Sequence, residues 1–166
     1  MSSKPLTFEV AIERILGHEG GYVDHADDPG GETNWGISKR SYPNVDIKAL
    51  TREGAKEIYL RDFWEPVAKD KLPSITFQML DAAVSHGMGN TVRMLQRAVN
   101  VADDGHWGKH SQYAYANQGE NDTLLLFLAE RQEFMTKLRT FDSFGRGWMR
   151  RIAGNLRFAA ADNQEL

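Results

Sequence analysis

Glu19, Asp28 and Thr33 are the residues of this chain whose types and spacing could do chemistry. They read Glu-x8-Asp-x4-Thr inside the window GHEGGYVDHADDPGGETNWGIS, residues 17–38. A carboxyl near the negative end of a helix macrodipole ionises less readily, and partial burial against Trp35 or Tyr22 would push the same way. A carboxylic acid still protonated near neutrality is what a general acid requires, and glycoside hydrolysis is a common use of one. That reaction needs a second group on the far side of the bond, either a carboxylate that attacks carbon or one that activates water. Asp28 is the candidate, with the Thr33 hydroxyl beside it to hold a water. The window has no Lys or Arg, so no salt bridge within it would lower the pKa of Glu19.

Each residue also has a plainer reading. A glutamate near a helix C-terminus is often just exposed, and Asp-Asp-Pro-Gly is a common surface turn. Metal chemistry fits worse. His18-Glu19-Gly-Gly-Tyr22 has Tyr where a zinc helix needs its second His, and its glycines break the helix. Asp24–Trp35 lacks the calcium-loop pattern at Ala26, Pro29 and Trp35. His106 and His110 are spaced i, i+4 but follow an Asp-Gly turn with no third ligand nearby. No metal or cofactor is expected.

The elements that must position these groups are mostly helical. Thr7 is an N-cap, and Phe8, Ile12, Ile15 and Leu16 form one apolar stripe ended by Gly20-Gly21. Thr51 opens a second helix that stops before Pro66. Pro73 introduces a third, ending at Gly87, and Asn90 caps a fourth that runs towards Asp104-Gly105. A short segment lies near Ser111–Ala116. The LLLFLA run makes the helix over 122–139 apolar nearly all round, so it is expected at the centre. A last helix is expected over 147–160. Strand signal is confined to Tyr22–Asp24 and Asn34–Ile37, either side of the turn residues DDPGG, which predicts a small hairpin. The fold class expected is mainly α with a small β-hairpin near the N-terminus, in a single domain over 1–166.

Bulk composition narrows the function classes. With 41% hydrophobic and 26% charged residues, the 166-residue chain reads as soluble and globular. A formal charge of −3 argues against nucleic acid as the main partner. The absence of Cys removes disulfides and thiol chemistry. MSSKPLTFEV has no apolar signal region, and Leu124–Ala129, the longest fully apolar stretch, is too short to span a bilayer. The chain is therefore expected to start in the cytoplasm without a signal peptide, with no integral membrane segment. Residues 139–157 carry five Arg against one acid, Asp142. That basic stripe could attract an anionic wall polymer or membrane surface, or be a solvated face.

HEGGYVDHADDPGGETNWGIS resembles the signature of the glycoside hydrolase family 108 muramidases, which include phage endolysins. The likeness continues through FW-x-P at 63–66, DAAVSHG at 81–87, LQRAVNV at 95–101 and DGHWG at 104–108, covering about residues 8–155. It implies a lysozyme-like helical fold that cleaves the bond between N-acetylmuramic acid and N-acetylglucosamine, with Glu19 as the catalytic acid. Phage-type lysozymes, a more distant likeness, have a second gap one residue longer, so the roles of Asp28 and Thr33 carry over less directly. Where the family often carries Asn before the His-Gly, this chain has Ser85, so a cleft hydrogen bond expected there is missing or moved. Asp104-Gly105-x-x-Gly108-x-x-Ser111 resembles the turn of peptidoglycan-binding modules. The resemblance thus divides the domain into a catalytic part, about 8–100, and a helical part, about 90–155, like a peptidoglycan-binding region. The alternative for that turn is an Asp-Gly corner between two helices.

Tyr22 and Trp35 offer aromatic faces for sugar rings. With Asn34 and His86, inside the quoted motifs, they are the expected substrate contacts. Trp64 and Trp107 are expected in the core. The combined expectation is a monomeric peptidoglycan muramidase of a phage or prophage endolysin, acting on the periplasmic wall after a separate holin-type pore protein opens the membrane. Two rivals stand beside it. One is a lytic transglycosylase using the same Glu, and the other a non-catalytic wall-binding or secretion accessory protein.

Overall fold

The computed structural model describes residues 6–17, 21–24, 31–68 and 73–163. These fall into two compact units, Thr7–Pro66 and the chain from Val67 onward. Both are built mainly from helices.

In the first unit, α1 (Phe8–Leu16) starts where the Thr7 hydroxyl accepts the Val10 N–H at 3.3 Å, and buries Ala11, Ile12, Ile15 and Leu16. The helix ends before Glu19, its cap at Gly17 still in right-handed geometry. Two short strands follow, β1 (Thr33–Asn34) and β2 (Ile37–Ser38), paired antiparallel with Thr33 opposite Ser38. Their turn is Trp35-Gly36, with φ of 53° and 77°. Two positive φ values are what a right-twisted two-residue hairpin demands. Of the pairing expected across DDPGG, whose first four residues lie outside the described residues, an antiparallel bridge joins Val23 and Thr33. The sequence signal missed the tighter turn because a bulky residue rarely takes left-handed geometry.

Tertiary bonds hold Trp35 there. Its indole N–H donates to the Leu50 carbonyl at 3.2 Å, and its own carbonyl accepts the Tyr59 hydroxyl at 2.9 Å. Tyr59 is buried at the end of α2 (Arg52–Tyr59), which Thr51 caps through the Gly54 N–H. Glu13 of α1 pairs with Arg52 and Lys56 of α2. A π-helical turn, Leu60–Trp64, continues α2, and α3 (Glu65–Ala68) follows it. The helical path therefore does not stop before Pro66. Proline lacks an N–H and its ring crowds the preceding turn, and the wider π turn accommodates both. Trp64 packs on Phe8 with ring centroids 5.8 Å apart.

The second unit is a helical bundle of α4 (Pro73–His86), α5 (Met88–Ala98), α6 (Lys109–Asn117), α7 (Glu120–Thr136) and α8 (Phe141–Asn163). α7 packs against α4, α5 and α8, as expected of a central helix, but the helix enclosed all round is α4. Every residue from Ile75 to Ala83 is buried, and α4 packs against α5, α7 and α8. The LLLFLA run buries one stripe, Leu124, Phe127 and Leu128, while Leu125 stays 60% exposed. α5 is capped by Gly87 at φ 83°, not by Asn90, whose side chain instead donates to the His86 carbonyl at 2.8 Å. α8 starts six residues before the expected position. Gly145, a helix-weakening residue by propensity, lies inside it against the Phe141 ring, which a Cβ would meet at a tight 3.0 Å.

Candidate active site

Glu19 and Asp28 lie outside the described residues. Around them the structure fixes the ends of the segment that carries them. Thr33 is held on both sides. Its backbone exchanges two 2.8 Å hydrogen bonds with Val23, and its other edge pairs with Ser38. The Thr33 hydroxyl donates to the Gly31 carbonyl at 3.4 Å. Val23 and Thr33 are thus joined backbone to backbone, one on either side of Asp28 in sequence.

The candidate contacts in this unit differ in how free they are. Tyr22 is exposed, and partial desolvation, followed by the Asp24 and Glu32 carboxylates, pushes its phenol above its ordinary value. Trp35 is half-buried with its N–H engaged, so what it can offer is ring surface. Asn34 is buried, and its amide nitrogen donates to the Ile47 and Leu50 carbonyls at 3.0 and 3.2 Å. It anchors the 47–50 loop beneath the hairpin. Tyr42 donates to Asp62 at 2.9 Å, and burial, reinforced by that carboxylate, pushes its phenol up to about 12.

His86 closes α4 in the second unit, in surroundings that no local pattern announces. Asp81, 2% exposed, sits between two guanidiniums. Arg131 Nη1 lies 2.7 Å from its Oδ2, an ion pair off the ideal hydrogen-bond angle. Arg151 Nη2 donates to Oδ1 and Asn155 Nδ2 to Oδ2, each at 2.7 Å. Burial alone would raise the Asp81 pKa, but the Arg131 and Arg151 charges reverse this and hold it well below the usual carboxylate range. Arg131, 1% exposed, then donates from Nε to His86 Nε2 at 3.1 Å. Burial, helped by the Arg131 charge, pushes the His86 imidazole down to about 4. The Phe134 ring packs on it at 5.1 Å. Ser85 donates back to the Asp81 carbonyl at 2.8 Å, so its hydroxyl serves the helix. The legible hint in sequence was an acid at a buried phase of an apolar helix. Its arginine partners lie far along the chain.

The Asp104-Gly105 turn is built around Gln96, which is buried. The Gln96 amide donates to Asp104 Oδ1 at 2.8 Å, the His106 carbonyl at 2.9 Å and Ser111 Oγ at 3.3 Å, and its oxygen accepts the Gly105 N–H at 2.9 Å. Gly105 needs its glycine, at φ 81°. A groove of about 390 Å³ opens here, lined by Gln96, Asp104, His106, Gly108 and Ser111 among others. Of the five arginines in 139–157, Arg151 turns inward to Asp81, while Arg139, Arg146, Arg150 and Arg157 are exposed. No helix among the described residues is long and apolar enough to cross a membrane.

Residues 12–87 match the family described as Glycosyl hydrolase 108. Among solved structures, the chain is similar to that described as "Structure of Brucella abortus SagA", at 34% identity and a TM-score of 0.82, over 93% of this chain and 94% of that one. Comparison with curated proteins gives no match. The family match spans the Glu-Gly-Gly-Tyr and Asp-Pro-Gly-Gly-x-Thr segments, and the structural likeness runs through both helical units. The chain belongs to the glycosyl hydrolase 108 family, a family of glycoside hydrolases.

Proposed function

We propose that the chain is a peptidoglycan muramidase that hydrolyses the bond between N-acetylmuramic acid and N-acetylglucosamine. Glu19 is the general acid, and Asp28, helped by Thr33, positions the attacking water. The family match over residues 12–87, which contains all three residues in the Glu-x8-Asp-x4-Thr spacing, carries this reading. Tyr22 and Trp35 supply sugar-stacking surface, and His86 a polar contact. Asn34 acts by anchoring the hairpin that bears Trp35. The Gln96-centred turn and its groove serve wall binding, and the two helical units work as one catalytic domain. The setting is phage or prophage lysis, in which a separate holin-type pore protein releases a monomeric endolysin to the periplasmic wall.

Mass spectrometry of muropeptides released from purified sacculi tests the reaction. Products with a reducing N-acetylmuramic acid end are expected. Products lighter by one water, the anhydro form, would establish a transglycosylase instead. Binding to sacculi without release of any soluble fragment would establish an accessory protein.

A further inference from the structure

The buried Asp81–Arg131 pair is unused by the chemistry above, yet it ends on a half-buried side chain, His86. Arg131 Nε always carries its hydrogen, because a guanidinium has donors and no acceptor. Its 3.1 Å bond to His86 Nε2 therefore requires that nitrogen to be bare. A neutral imidazole with a bare Nε2 has its proton on Nδ1. Nδ1 has no partner among the described residues and is not among the polar atoms sealed from solvent. It is a donor whose direction Arg131 fixes.

Of the charged groups facing His86, the two arginines favour the neutral ring and Asp81 opposes them. Arg131 comes from α7, Asp81 from its own helix and Arg151 from α8, and the two cations outweigh the one acid. Arg131 cannot swing away, since it is enclosed and tied to Asp81, which Arg151 and Asn155 hold in turn. Phe134 is half-buried and places an aromatic face at 5.1 Å, tilted by 60°. An uncharged, aimed donor beside an aromatic face suits a sugar, with its apolar C–H face and neutral oxygens.

We propose that the C-terminus of α4 is a glycan contact in which Asp81 and Arg131 are positioning residues. They hold His86 as the tautomer that offers one N–H, from Nδ1, to an acceptor oxygen of an N-acetylated sugar. The choice of sugar rests on the muramidase reading.

The test is imidazole nitrogen NMR on the full chain with labelled histidine, His86 being assigned by comparison with H86Q. Nδ1 protonated and Nε2 bare from pH 7 to 5 is expected, as is a shift at Nδ1 when N,N′,N″-triacetylchitotriose is added. In R131K, which keeps the charge but not the aimed Nε–H, a mixture of tautomers is expected in a protein whose spectrum is still folded. Against peptidoglycan, H86Q can accept from Arg131 and donate outward, and should stay within about threefold of the parent. H86F should lose about tenfold in kcat/KM through KM, the scale of one hydrogen bond. A proton on Nε2, an unchanged tautomer in R131K, no response to the trisaccharide, or equal losses in H86Q and H86F would overturn the proposal. A chain that shows the tautomer and the sugar response but never cuts the wall would keep this inference and sink the muramidase reading. Wall cleavage without the sugar response would do the reverse.

Discussion

Lowering the pH should cost this protein stability through His86, and the size of the loss follows from its surroundings. The imidazole drops from an ordinary 6.5 to about 4 in the folded chain because burial and the Arg131 charge disfavour its cation. A depressed folded value means that the unfolded chain binds the proton first. The contribution is thus complete above pH 6.5 and is lost as pH falls through the window from 6.5 to about 4. Integrating proton uptake between those values gives a loss of about 1.5 kcal/mol by pH 5.5 and about 2.5 kcal/mol by pH 4.5. Other groups titrate in the same range, so the informative quantity is the difference between the parent and H86Q, whose amide does not titrate. Urea unfolding at pH 7, 5.5 and 4.5 should show the parent losing more than H86Q by those amounts. Parallel losses in the two proteins would refute the reasoning, because His86 would then take up its proton folded and unfolded alike.

Asp81→Asn keeps the shape of the buried cluster but leaves Arg131 and Arg151 without their anion. A loss of roughly 3–5 kcal/mol is expected by urea unfolding, the scale of a broken buried pair; a change under about 1 kcal/mol would contradict the buried network. Because the folded Asp81 value is depressed, its contribution is present above about pH 4, the ordinary aspartate value, and fades as the pH falls further. The parent should therefore show an acid-unfolding limb there that Asp81→Asn lacks. Gly36→Ala strains a backbone held at φ 77°, so a loss of about 1–2 kcal/mol is expected in the same assay, with Ser41→Ala, on an exposed loop, as a near-neutral control.

Local signals in this chain translated well into helices. Thr7 and Thr51 cap where hydroxyl chemistry says they should, and α1 buries the stripe its spacing marks. Errors arose where tertiary structure overrides local preference. Trp35 adopts left-handed geometry because Leu50 and Tyr59 bond both ends of it, and nothing in Asn-Trp-Gly announces that. The apolar run at 124–129 suggested a helix buried all round, but composition says nothing about which side of a helix finds neighbours; Leu125 and Leu126 stay exposed, and α4, with Thr76, Gln78 and Asp81 among its buried residues, is the helix so enclosed. Polar residues lowered its apparent hydrophobicity, yet a polar group can be buried once paired, as both Asp81 oxygens are with Arg151 and Asn155 at 2.7 Å. Of the candidate site, the acid-and-turn pattern rests on spacing, Glu19 and Asp28 lying outside the described residues. The setting of His86 was not legible, since it depends on Arg131 and Arg151 arriving from 45 and more residues away.

The central claim is that Glu19 delivers the proton that breaks a glycosidic bond. Glu19→Gln keeps size and polarity while removing the acid, so clearing of purified peptidoglycan, read beside the melting temperature, tests it most directly. Loss of at least about a hundredfold in rate, the lower end of a general acid's usual contribution, at an unchanged melting temperature is the predicted result. Turnover within a few-fold of the parent would contradict it.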